Sequence, residues 1–285
     1  MTDSNKRCAP NKVYTDDSCI PLEVLIDMAE AYNKLNKSNP IVIDYKQETL
    51  NPSILKRNLV KEFTERLKDK CKYDQICWTK QSFVKQMKRH TNELKLNTFR
   101  PTGPTGQFTW LSTLDIDKVM TQYETKYTDF KFLGAVPIDF DDLPQLGLKN
   151  INFDQYKSKG YTEFGVIFNL DEHYKSGSHW VATYMDLTKG NIYFSDSFAI
   201  PPEKRIRAFL RHAANYCQSK GLTNLDIRHN KTRHQRGNSE CGVYSINFIL
   251  RLLRGDTFDT VTAEPLADRV VNKCRNVYFN NPKIK

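Results

Sequence analysis

The sequence predicts an α+β fold: a mixed sheet flanked by helices, preceded by a separate helical N-terminal region. Three observations carry that expectation. The first hundred residues repeat apolar side chains at helical spacing. From about residue 130 onward, short β-patterned stretches alternate with helical ones. Near the C-terminus, the apolar run Val243 to Leu253 follows a polar loop, Gln235-Arg-Gly-Asn-Ser-Glu-Cys241-Gly242. Val243, Ile246, Ile249, Leu250 and Leu253 share one helical face, so Cys241 falls in the first turn of a core helix.

In chain order, Pro21 opens a helix over 21–36, with Leu22, Leu25, Ile26, Ala29 and Tyr32 as its apolar stripe. Helices are expected over 52–70 and 79–90. The run Ile41 to Ile43 is apolar but of undecided type. Arg100-Pro-Thr-Gly-Pro-Thr-Gly106 cannot continue a helix and marks a domain boundary. Trp110 opens a helix reaching about Tyr123. Residues 130–138 and 164–170 read as strands, with Pro144 and Gly147 in the loop between. His179 to Leu187 and Ile192 to Phe198 read as a hairpin turning at Thr188-Lys-Gly-Asn191. A long helix follows Pro201-Pro202 and stops at Gly221. Leu225 to His229 is a further strand, and 264–275 a final helix.

Composition bounds the function classes. With 285 residues, 39% hydrophobic and 12% aromatic, the chain is globular rather than disordered. No apolar run is long enough to span a membrane, and no secretory signal follows Met1. The expectation is a protein that is not secreted, in a reducing compartment, with all seven cysteines as free thiols. Cys8 and Cys19 are close enough in sequence to pair. Cys71 and Cys77 are expected to pack beside Trp78 rather than to bind metal, since no second Cys/His pair stands nearby at zinc spacing.

The net charge is +10. Most of the excess lies in residues 56–100, with thirteen Lys or Arg against five Asp or Glu. Such a stretch is either a solvated helix face or a patch for DNA or an acidic partner.

Cys241, His179, Asp196 and Gln235 supply four roles that a cysteine hydrolase needs. A helix start favours negative charge, and the thiolate is the nucleophile. A base takes the thiol proton and returns it to the leaving amine, and an acid orients the base. A donor faces the oxyanion. His179 and Asp196 lie on adjacent antiparallel strands. A simple register pairs Leu187 with Ile192, which leaves Asp196 on the face of His179 but four residues away, a gap for twist or a bulge to close. Asp186 is the competing acid. His90 and His212 read as helix-surface or packing residues, His173 as part of a polar loop, and His229 and His234 as flanks of the Gln235 loop.

The order His179-Trp180, then Asp196 in an aromatic-Ser-Asp-Ser strand, then Gln235 six positions before Cys241-Gly242, resembles the SUMO-specific cysteine proteases. It also resembles their viral relatives, the adenovirus-type maturation proteases, and most of all the virion-maturation proteases of large cytoplasmic DNA viruses. The resemblance implies a papain-like cysteine protease core over 101–285, with residues 1–100 as a helical, basic accessory domain. It implies His179 as base, Asp196 as orienting acid, Cys241 as nucleophile and Gln235 as oxyanion donor. Trp180 then walls the site, and Trp110 lies in a segment similar to the family's Trp-Leu-Asn-Asp, whose Trp helps form a tunnel for a Gly-Gly tail. The implied reaction is cleavage after Gly-Gly or Ala-Gly sites in viral structural precursors, in the virion or the host cytoplasm. No metal or organic cofactor is implied. The alternatives are a deconjugating protease for a ubiquitin-like modifier, or a nucleic-acid-binding scaffold built on the basic segment. The adenovirus relative uses DNA as a cofactor, so binding and proteolysis are compatible.

Overall fold

The computed structural model describes residues 7–106 and 108–280. The chain forms two compact units that divide between Pro101 and Thr102.

The N-terminal unit is helical. The Leu22–Leu35 helix buries Val24, Leu25, Met28 and Ala29, and the Pro52–Arg66 helix buries Leu55, Leu59 and Phe63. The Phe63 ring lies 5.7 Å from Trp78 and 5.8 Å from Phe83. The Tyr45–Leu50 helix has no buried residue, so no apolar stripe announced it. The helix expected over 79–90 is a single 3-10 turn, Ser82–Gln86. Buried Asp27 draws the chain away by accepting the Arg89 backbone N–H at 3.0 Å. His90 then sits left-handed at φ 53°, before the Thr91–Leu96 helix rather than on one.

Two expectations about this unit change. Cys8 is bonded to Cys19 and Cys71 to Cys77, so the free thiols are Cys217, Cys241 and Cys274. Part of the basic segment is structural. The Lys56 ammonium is buried against the Thr15 hydroxyl and the Ser18 carbonyl, and burial lowers its pKa. Arg66 donates to Glu62 and to the carbonyls of Asn39 and Pro40.

The C-terminal unit holds a five-stranded sheet in the order β1 (Phe130–Pro137), β2 (Glu163–Asn169), β3 (Trp180–Asp186), β4 (Asn191–Ser195), β5 (Asp226–His229). The two outer pairings are parallel and the two inner ones antiparallel. Side chains alternate across β3. Ala182 and Tyr184 join the core beneath the Cys241–Leu253 and Thr113–Glu124 helices. Val181 and Met185 join the core under the Lys204–Ser219 helix. The Cys241–Leu253 helix buries ten of its thirteen residues, so it lies inside the unit. The final helix expected over 264–275 is broken into Asp268–Val271, a 3-10 turn and Arg275–Tyr278. Trp110 precedes its helix, which starts at Thr113 with a Ser112–Asp115 capping box.

The hairpin register differs from the simple one. Met185 pairs with Ile192 and Ala182 with Ser195. Continued by one residue, that register sets Asp196 opposite Val181, two residues from His179 instead of four. The turn begins one residue earlier, after the Asp186–Asn191 pair, and Asp186 organises it. Its carboxylate accepts from Thr188 N–H, Thr188 hydroxyl, Lys189 N–H and the Lys189 ammonium, all between 2.7 and 3.1 Å. Burial opposes the charge, but these donors outweigh it and lower the Asp186 pKa. Asp186 is therefore a turn residue and no competitor for the base.

Candidate active site

His179 stands just before β3 and Asp196 just after β4, at one end of the sheet. Their side chains meet: Nε2 of His179 lies 2.6 Å from Oδ1 of Asp196, with both residues buried. Nδ1 is thereby left free of Asp196, and Cys241 also acts on the imidazole. Burial alone would lower the imidazole pKa, but the bonds and charges of Asp196 and Cys241 reverse that and push it up to about 9. The imidazolium is thus the favoured form near neutral pH. Cys241 is the first residue of its helix and is buried. The first N–H groups of a helix have no partner within it and are free to face an anion.

Asp196 is itself held. Its Oδ1 accepts the Phe198 N–H at 2.8 Å. Asn230 accepts the Asp196 N–H and donates to the Asp196 carbonyl. The Phe198 ring stacks on the His179 ring at 4.7 Å, and the Arg233 guanidinium lies 4.8 Å from the centre of the Phe198 ring.

Gln235 is wholly buried, and both ends of its amide are engaged. Oε1 accepts the Ser197 hydroxyl at 2.6 Å, and Nε2 donates to the Gly237 carbonyl at 3.1 Å. One Nε2 hydrogen remains. The backbone N–H groups of His234 and Gln235 both donate to the Ser197 carbonyl. The rest of the loop is clamped from the C-terminal segment. Asp268 accepts the Gly237 N–H, and Arg275 donates to the Ser239 carbonyl. Glu240, buried before Cys241, accepts from Ser239 and Asn272. A side chain at Gly237 would strike Glu240 at 2.8 Å.

Trp180 and Trp110 line one cleft of about 560 Å³. Trp180 is buried and its indole N–H donates to the Leu111 carbonyl. Leu111 and Trp180 close over Gly242, where a Cβ would meet them at 3.1 to 3.3 Å. Trp110 is 42% exposed.

The six residues singled out from sequence therefore all lie in this unit: His179 bonded to Asp196 and under the influence of Cys241, Gln235 on the loop tied to Ser197, and the two tryptophans in the cleft. Asn230, Ser197, Asp268 and Arg275 were not foreseen, since each acts through a contact at least 24 positions away. His173 was read as loop but lines the cleft. His212 stacks on Phe153 and bonds the Ile151 carbonyl. His234 is buried, which lowers its pKa, and accepts the Leu266 N–H.

Residues 166–282 match the family model described as the Ulp1 protease family, C-terminal catalytic domain. The chain is 36% identical over 286 residues to a putative thiol protease of Acanthamoeba polyphaga mimivirus, covering 98% of this chain and 94% of that protein. It is 26% identical over 206 residues to the SUMO-1 cysteine protease of African swine fever virus, covering 64% and 71%. A crystal structure of the African swine fever virus protease superposes with a TM-score of 0.63 at 19% identity, covering 98% of this chain and 97% of that one, and so shares the fold. The 36% identity along nearly the full length of both chains means that this protein belongs to the Ulp1 protease family and is a cysteine-type peptidase.

Proposed function

We propose that the protein cleaves after Gly-Gly or Ala-Gly in structural precursors of a large DNA virus, with Cys241 as nucleophile. The observation that carries the chemistry is the 2.6 Å His179–Asp196 contact beside a cysteine at a helix start. The thiolate attacks the scissile carbonyl, and the His179 imidazolium gives its proton to the leaving amine. The Gln235 Nε2 group and the helix-start N–H groups receive the developing oxyanion. Water, deprotonated by His179, then releases the acyl group. The preference for glycine is supported by Trp110 and Trp180, which line one cleft. The viral setting, in the virion or the host cytoplasm, is supported by the viral relatives.

The test is a peptide panel of Gly-Gly-X, Ala-Gly-X and a glycine-free control, cut by native chain and by Cys241→Ala. Cleavage of glycine peptides by the native chain alone is expected. Cleavage of the control at the same rate overturns the glycine preference. A ubiquitin-like modifier with a reactive C-terminus, trapped on Cys241 while the peptides stay intact, moves the reading to deconjugation.

A further inference from the structure

The cleft that Leu111 and Trp180 help to line lies at the C-terminal ends of β1 and β2, beside the loop joining β2 to β3. Its two banks differ. One is apolar, with Trp110, Pro137, Leu143 and Leu146. The other is the loop itself, with Asn169, Asp171, Glu172, His173 and Lys175. The charges on that bank are almost all matched. Glu172 pairs with Lys175 at 2.5 Å. His173 uses Nδ1 and its backbone N–H on the two oxygens of buried Asp139, at 2.6 and 3.0 Å. The carboxylate of half-buried Asp171 has no hydrogen-bond or ion-pair partner among the described residues. Lys175 feels its charge, but the ammonium is committed to Glu172.

A second side chain on this bank is also unfinished. Asn169 is only 9% exposed. Its Oδ1 accepts the N–H groups of Asp171 and Ser178, pinning both ends of the loop. Asn169 lines the cleft, and its Nδ2 has no hydrogen-bond partner among the described residues. Gly177, at φ +90°, keeps the space above it clear, since a Cβ there would come within 2.8 Å of Nδ2. A donor and an acceptor, both uncommitted and set into one cleft, fit a peptide. Nδ2 matches a backbone carbonyl and the carboxylate matches a cation.

We propose that this cleft takes the substrate residues on the acyl side of the cut and that Asp171 selects a Lys or Arg among them. The proposal rests on the proposed cleavage at Cys241, with the cleft meeting the site at Trp180, the residue after His179. Asp171 acts as a specificity residue through its side chain alone. Its structural bonds are made by its backbone, whose N–H goes to Asn169 and whose carbonyl accepts from Ile138. Asp171→Asn therefore leaves the loop intact.

The experiment places Ala, Lys or Glu at each of three positions before the Gly pair of a Gly-Gly-X peptide. Cleavage is measured with native chain, Asp171→Asn and Asp171→Lys. At one position Lys is expected to exceed Ala by about two- to fivefold in kcat/KM, the range of a partly exposed ion pair. Asp171→Asn removes the preference, and Asp171→Lys turns it toward Glu. A Lys preference that survives in Asp171→Asn, or no discrimination at any position, overturns the proposal. The same peptides are bound to Cys241→Ala, with and without Asp171→Asn, and read by fluorescence anisotropy. If the native chain cuts no glycine peptide, the cleavage reading fails by itself. Loss or persistence of the Lys preference in binding still decides the role of Asp171.

Discussion

Asp196 binds one ring nitrogen of His179, and Cys241 acts on the same imidazole. A histidine raised to about 9 keeps its charge well above the ordinary value of about 6.5. Whatever the imidazolium contributes to folding and to leaving-group protonation is fully present below about 6.5 and is lost as pH rises through about 9. The alkaline limb of kcat/KM is therefore expected near pH 9. In Asp196→Asn that limb moves to lower pH and kcat falls by about 10²- to 10⁴-fold; a limb that stays in place refutes the assignment. Ser197 acts at the same scale through Gln235. Its hydroxyl fixes Oε1, and so sets which way Nε2 points. Gln235→Ala is expected to lower kcat by about 10²- to 10³-fold. Ser197→Ala alone should cost about tenfold in kcat at unchanged KM. In the Gln235→Ala background it should cost nothing more, a non-additivity that a merely structural Ser197 would not show.

At the scale of elements, the β3–β4 hairpin delivers the histidine and its acid, and the turn decides whether they meet. Asp186 gathers four donors into that turn. Asp186→Ala is expected to lower stability by about 1 kcal/mol in urea denaturation, since four hydrogen bonds from exposed Thr188 and Lys189 to a buried carboxylate are lost. It should also depress kcat, because a slip of the turn carries Asp196 away from His179. Unchanged kcat in a folded Asp186→Ala protein counts against the register argument. The hairpin and the cysteine helix were legible as elements because apolar periodicity marks both. The register was not, since alternation fixes which face a residue takes but leaves shifts by two residues equivalent.

For the whole molecule, thiol chemistry divides the two units. Both disulfides lie in the N-terminal unit, while Cys217, Cys241 and Cys274 all lie in the C-terminal one. Thiol titration of the unreduced, denatured chain is expected to give three equivalents, and seven after reduction. Seven without reductant would restore the reducing-compartment expectation. Burial raises the pKa of Cys217 and of Cys274, so neither competes with Cys241 for a thiol reagent in the folded state. The N-terminal basic segment divides likewise. Lys56 and Arg66 are tied into the unit's own frame, so its thirteen basic residues overstate the charge open to a partner.

By itself the sequence determined the α+β class, the cysteine at a helix start and the order of His179, Asp196, Gln235 and Cys241 along the chain. Each of these is written in local periodicity or in residue type at fixed spacing, which a linear reading preserves. The tertiary structure alone decided the hairpin register, the pairing of the four N-terminal cysteines, and the second ring of groups around the site. Ser197 on Gln235, Asn230 on Asp196 and Asp139 on His173 join residues 34 to 38 positions apart. Their hydrogen bonds depend on distances of about 3 Å that exist only once the sheet has formed.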